Sequence, residues 1–150
     1  TPDVINVRDT SNEITLVSSS SYAKDGQYIN KVSSATTVKN FLKQFENDSL
    51  KVSDVNGKAI SDSDVVGTGS KVELYVGSTL VDSVFVVIKG DVNGDGIVDS
   101  TDYLRIKGNF LETYSFNSVY KKAADVDGNG NIDGTDYMRI KGQFLGTFTI

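Results

Sequence analysis

Along residues 1–88 the apolar positions recur at short, strand-like intervals. Val4–Val7 and Glu13–Val17 are β-prone runs on either side of the turn-rich Asp9-Thr10-Ser11-Asn12, which predicts a hairpin over Asp3–Val17. Ser18–Gly26 is polar and predicted as loop, and Tyr28–Val32 is a candidate third strand. The period then changes. Val38, Phe41, Leu42 and Phe45 fall at i, i+3, i+4 and i+7, one apolar stripe of a helix of about ten residues with Thr36 or Thr37 as N-cap. Leu50–Asp54 and Lys58–Ile60 flank Asn56-Gly57, the strongest two-residue hairpin signal. After a turn at Val65–Gly69, Lys71–Val76 alternates as KVELYV and Val81–Ile88 reads VDSVFVVI, predicting two strands paired across Gly77–Thr79. Five to seven strands and one helix suit an α+β module, a mostly antiparallel sheet carrying one helix, with a β-sandwich as the alternative.

Beyond Lys89-Gly90 the pattern is different. Asp91–Leu111 (DVNGDGIVDSTDYLRIKGNFL) and Asp125–Leu145 (DVDGNGNIDGTDYMRIKGQFL) align at a shift of 34 residues with 14 identities in 21 positions, so the unit is duplicated. In each copy oxygen-bearing side chains alternate as a loop curled around a hard cation requires. Asp91, Asn93, Asp95, Asp99 and Asp102 occupy positions 1, 3, 5, 9 and 12 of the first loop, and Asp125, Asp127, Asn129, Asp133 and Asp136 those of the second. Position 7 ligates through its carbonyl and tolerates any side chain, here Ile97 and Asn131. Gly96 and Gly130 stand at position 6, where the loop turns sharply. The plainer reading is a pair of Asx-Gly turns. Two matched ligand sets, each followed by an apolar run, favour two calcium ions.

Each loop is predicted to lead into a helix, Thr101–Leu111 and Thr135–Leu145, with Leu104, Ile106, Phe110 and Leu111 and their counterparts Met138, Ile140, Phe144 and Leu145 mainly in a core. Phe116, Val119, Tyr120 and Ala123 predict a third helix bridging the copies. No linker rich in Pro, Gly or Ser separates residues 1–88 from residues 89–150, so the two modules are expected to hold a nearly fixed relation.

Composition narrows the functional classes. The chain has no Cys and no His, which removes disulfides, zinc thiolates, Cys nucleophiles and the commonest general base. Scattered acids such as Asp62, Asp64 and Asp82 form no catalytic spacing, so neither an enzyme nor a small-molecule substrate is expected. The formal charge is −5, and eight of the 20 acids lie in the two loops, so the acidity marks metal sites and nucleic acid is not an expected partner. No apolar run approaches the ~20 residues that span a bilayer, and no signal peptide starts at Thr1, so the chain is expected to be a piece of a longer protein. Cysteine-free, Ser/Thr/Asn/Gly-rich sequence with calcium loops fits a secreted bacterial protein, although lack of Cys alone suits the cytosol equally.

An ordinary EF-hand begins with a helix entering the loop, but here the strand-like VFVVIKG precedes loop one. Two loop–helix units of about 22 residues joined by a short helix resemble the dockerin family of bacterial multi-enzyme complexes. The resemblance covers about Lys89 to Ile150 and includes Asp, rather than Glu, at position 12 of both loops. It implies a non-catalytic plug that folds on calcium and docks a helix face onto a cohesin module of a scaffoldin or cell-surface protein, in a secreted, extracellular or cell-surface complex. The family's recognition positions 10, 11, 17 and 18 fall on Ser100, Thr101, Lys107 and Gly108, and on Gly134, Thr135, Lys141 and Gly142. Positions 13 and 15 fall on Tyr103 and Arg105, and on Tyr137 and Arg139. Gly at both 18s, often basic in the family, implies a different partner specificity. Tight upstream neighbours of dockerins are X modules, and residues 1–88 resemble one by position alone.

Tyr and Arg are residues that interfaces favour, and near-identity of the two faces predicts binding in either of two orientations. A solvated helix face is the bland alternative. A calcium-stabilised structural or sensor module of a bacterial surface protein is the other functional reading, weakened by the single Met and the missing entering helices.

Overall fold

The computed structural model describes residues 12–112, 115–147 and 150. Among them, five strands form one sheet: β1 (Ala23–Asp25), β2 (Tyr28–Asn30), β3 (Lys51–Ser53), β4 (Lys71–Val76) and β5 (Thr79–Val86). Their spatial order is β1-β2-β5-β4-β3. Only the central pair β2–β5 is parallel, with Tyr28 opposite Phe85 and Ile29 opposite Val86; the other pairings are antiparallel. A single mostly antiparallel sheet with a helix is the α+β arrangement, and no second sheet forms a sandwich among the described residues. The KVELYV alternation buries Val72 and Leu74 on one face, as the two-residue period of a strand requires.

Helix α1 (Val38–Leu42) is half the expected length. Thr37 caps it by accepting from the Asn40 amide, and Val38 and Phe41 are its buried residues. The stripe continues to Phe45 in a tighter form, because the Gln44 and Phe45 amides donate three residues back to Phe41 and Leu42. The Phe41 and Phe45 rings lie 5.0 Å apart, and Tyr22 packs on Phe41 at 5.7 Å.

Three expectations for this module are corrected. The polar segment before Gly26 is not all loop: Ala23–Asp25 pairs with Tyr28–Asn30, turning through Gly26 at φ +58°. Its Ala-Lys-Asp sequence carries no β-branched signal, which is tolerable at a sheet edge. The first arm of the expected Asp3–Val17 hairpin lies outside the described residues. The second arm is no strand but makes an isolated bridge, Leu16 to Phe45, because side chains hold its backbone: Asp82 accepts from the Ile14 amide and Asn47 from the Thr15 amide. At Asn56-Gly57 the turn forms around Asp54, whose carboxylate accepts from the Asn56 and Lys58 amides, but the return arm makes only the Ser53–Ala59 bridge.

Three helices follow: α2 (Ser100–Phe110), α3 (Ser118–Ala124) and α4 (Gly134–Leu145). The described residues form two apolar clusters. One joins Ile14, Ile29, Phe41, Phe45 and Leu74 under the sheet, and the other joins Val92, Ile106, Phe116, Ala123 and Ile140 between the helices. Consecutive residues after β5 serve the two: Val87 enters the helical cluster and Ile88 the sheet cluster. At the junction the Gly90 amide donates to the Ala123 carbonyl, and the Lys89 ammonium donates to the carbonyls of Lys122 and Asp125. That ammonium therefore closes the C-terminal end of α3, where unpaired carbonyls favour a cation.

The helical apolar residues correct a further expectation. Ile106 and Ile140 are fully buried, whereas Leu104, Phe110, Leu111, Met138, Phe144 and Leu145 are exposed. Two helices packed mainly on each other and on short α3 offer one narrow inner stripe, and the remaining apolar positions face outward.

Phe41 is wholly enclosed, so Phe41→Ala is expected to cost about 3–5 kcal/mol in urea unfolding. Leu80→Ala on the exposed start of β5 should cost under about 0.5 kcal/mol.

Candidate metal centre and docking surface

Both loops are built by the same bonds from backbone amides to side-chain oxygens. At position 3 the side chain accepts from the amide of position 5, and at position 5 from that of position 7: Asn93 from Asp95, Asp95 from Ile97, Asp127 from Asn129, Asn129 from Asn131. These successive Asx turns curl the chain. At position 1, Asp91 accepts from the Gly96 amide at 3.0 Å and Asp125 from the Gly130 amide at 2.8 Å. Gly94, Gly96, Gly128 and Gly130 all have positive φ, which side chains resist.

The position-12 carboxylates tie each loop shut. Asp102 accepts from the Val92 and Asn93 amides with one oxygen and from Asp99 with the other, and Asp136 does the same with Asp127 and Asp133. Position 9 is the N-cap of the following helix, and position 12 completes its capping box. A short Asp reaches back to these amides, which accounts locally for Asp in place of Glu. Thus one set of side chains closes the loop and starts the helix.

Carboxylate oxygens of Asp91, Asp95 and Asp102 lie within 4.8 Å of one another, as do those of Asp125, Asp127 and Asp136. Asp91 and Asp102 are completely buried. Burial, chiefly, and neighbouring acids push Asp91 up to about 6 and Asp102 up to about 7, and burial pushes Asp136 up too. An all-oxygen set of crowded carboxylates is hard-cation chemistry, and these residues fit calcium. Such an ion would supply the positive charge that the crowded acids lack. The half-buried Asp99 and Asp133, the side chains of Asn93 and Asn129, and the carbonyls of Ile97 and Asn131 are the remaining expected donors.

The two exiting helices pack through aromatic rings with a local two-fold relation. Tyr103 stacks on Phe144 at 5.6 Å and 17°, and its counterpart Tyr137 stacks on Phe110 at 5.6 Å and 16°. The two tyrosine hydroxyls meet at 3.0 Å. Because a residue near the start of each helix meets one near the end of the other, α2 and α4 run antiparallel. Tyr103 and Tyr137, expected near the solvent side of the helices, are therefore half-buried between them. Ser100, Thr101 and Lys107 are exposed on α2, and Arg105 and Gly108 are half-buried. On α4, Thr135 is exposed, Gly134, Arg139 and Lys141 are half-buried and Gly142 is buried, its carbonyl accepting from the Thr147 amide.

Sequence reasoning missed Leu104 and Met138, which are 61% and 60% exposed on α2 and α4. Their signal was present: each lies three residues after an exposed Thr and three before a Lys, so all share one face.

Residues 89–145 match the family model described as Dockerin type I domain. This part of the chain is a dockerin. No curated protein and no solved structure matches the chain. Dockerins are non-catalytic, calcium-binding modules that dock onto cohesins, and the proteins bearing them are typically extracellular or cell-surface. No helix among the described residues is long and apolar enough to cross a membrane.

With calcium removed, the raised carboxyl groups bind protons more tightly in the folded dockerin than in the unfolded chain. Their contribution is complete below about pH 4 and is lost as pH rises through about 6 and 7. The urea midpoint of chelator-treated protein is expected to fall across that window, less steeply in Asp102→Asn. Saturating calcium, which requires the ionised acids, should reverse the slope.

Proposed function

We propose that the chain docks its parent protein onto a cohesin of a scaffoldin or cell-surface protein, as part of an extracellular polysaccharide-degrading complex of the cellulosome type. Two calcium ions, held by Asp91, Asn93, Asp95, Ile97, Asp99 and Asp102 and by Asp125, Asp127, Asn129, Asn131, Asp133 and Asp136, order the helices that present the docking face. In this reading residues 89–150 are the docking domain, and residues 1–88 form an X-module-like domain that braces it.

The observation carrying the proposal is the two-fold aromatic packing of α2 on α4, which leaves two matching outward stripes. Thr101, Leu104, Lys107 and Leu111 form one, and Thr135, Met138, Lys141 and Leu145 the other. An apolar residue at the centre with polar and basic residues around it has the anatomy of a small interface. On α4 the stripe borders a groove of about 430 Å³ lined by Gly134, Thr135, Met138, Arg139, Gly142 and Thr147. The glycines at positions 18, Gly108 and Gly142, favour close backbone approach over a basic contact at that point. Ser100 and Arg105 flank the α2 stripe, and Tyr103 and Tyr137 support the stripes from below.

Matching stripes favour binding in either of two orientations related by a half turn. Calorimetric titration against a panel of cohesins should give tight binding that disappears on chelation, and no binding to any cohesin would reject the proposal. Thr101→Ala with Lys107→Ala should weaken binding by only about twofold, the statistical cost of losing one of two equivalent modes. Adding Thr135→Ala and Lys141→Ala should weaken it by about a hundredfold or more. A hundredfold loss from the first pair alone would rule out the second orientation.

A further inference from the structure

The two calcium loops share their internal bonding but not their surroundings. Loop one is wedged against the sheet module, whereas a Cβ added at Gly128 or Gly130 of loop two would meet nothing within 4 Å. Asp91, besides the Gly96 amide, accepts a second bond on the same oxygen from the buried Thr68 amide at 2.8 Å. The Gly96 carbonyl accepts from the Ala35 amide at 2.7 Å, and Ser34 accepts through its hydroxyl from the Val98 amide at 3.0 Å. A Cβ at Gly67 would collide with the Gly94 carbonyl, and one at Gly96 with the Val66 carbonyl. Backbone thus packs directly on backbone along one side of this loop.

We propose that the Gly67-Thr68 turn, with Ser34 and Ala35, is the outer wall of calcium loop one, so that the sheet module positions this site and makes it the tighter and first-loaded of the two. The inference rests on the calcium reading above. Two effects act in the same direction. The Thr68 amide fixes the orientation of the position-1 carboxylate, so ordering that loop two must undergo on binding is already complete in loop one. The same wall keeps water from Asp91, which is completely buried where its counterpart Asp125 is half-buried, so the acids of loop one crowd together in a medium that screens them poorly and gain more from a cation. Reciprocity then follows: an ion in loop one strengthens the seam by the factor that the seam strengthens the ion.

The test is a calcium titration of the full chain followed by NMR at the Gly96 and Gly130 amides, which stand at the same position of the two loops. Loop one is expected to saturate at lower calcium than loop two, and exchange of the Thr68 amide with solvent should slow as it does so. Gly67→Ala should weaken loop one by about tenfold or more and leave loop two within about twofold. Ser34→Ala, a milder change that spares the backbone packing but removes the hydroxyl that accepts from the Val98 amide and donates to the Gly96 carbonyl, should weaken loop one alone by about three- to tenfold. Equal wild-type affinities, or variants that weaken both loops or neither, would overturn the wall while leaving the calcium reading intact. Failure of both loops to titrate would instead overturn the calcium reading, and this inference with it.

Discussion

Acidic side chains confined to a twelve-residue loop repel one another, and the fold of the C-terminal part depends on how that repulsion is contained. Backbone amides do part of the work: the position-1 and position-12 carboxylates of both loops accept several N–H bonds each. Amides orient carboxylates but carry no net charge, and burial, with neighbouring acids, leaves Asp91 and Asp102 holding their protons unusually tightly. The loop is in this sense half of a site. The dependence passes outward, because the acids that close the loops also cap α2 and α4, the helices that leave them.

The seam between the modules gives the duplicated unit an asymmetry that its sequence conceals. Gene duplication supplies two loops of the same donor pattern, but only one meets a neighbouring backbone at glycine-to-carbonyl distance. The joint itself is short: Val87 and Ile88 enter different cores, and Lys89 bonds to the far end of α3. Such a connection leaves little freedom for one part to turn against the other.

The loops and their exiting helices were legible because their constraints are local and repeated. Oxygen at alternate positions, Gly at the sharp turn and an acid at the cap each need only near neighbours in sequence. The fate of Leu104 and Met138 was harder to read, since an apolar residue on a helix is core or surface according to what packs there, and α3 is too short to cover it. The same limit applied to β1, whose Ala-Lys-Asp forms a strand through pairing with Tyr28–Asn30 and not through propensity. It applied again to Glu13–Val17, where Asp82 and Asn47, far along the chain, take the amides that a hairpin would have used. Thr68 was the least visible contributor, because a backbone amide acts without regard to side-chain identity.

The meeting of the Tyr103 and Tyr137 hydroxyls sets a limit on how alike the two halves can be. A single bond between two identical phenols has one giver and one taker, so the pair must choose, and the two choices differ only through the unequal surroundings of the two copies. In a chain without tryptophan this shared proton sits within the intrinsic ultraviolet chromophore, between two of seven tyrosines. Tyrosine emission therefore offers an optical window onto a place where the halves of the duplication touch.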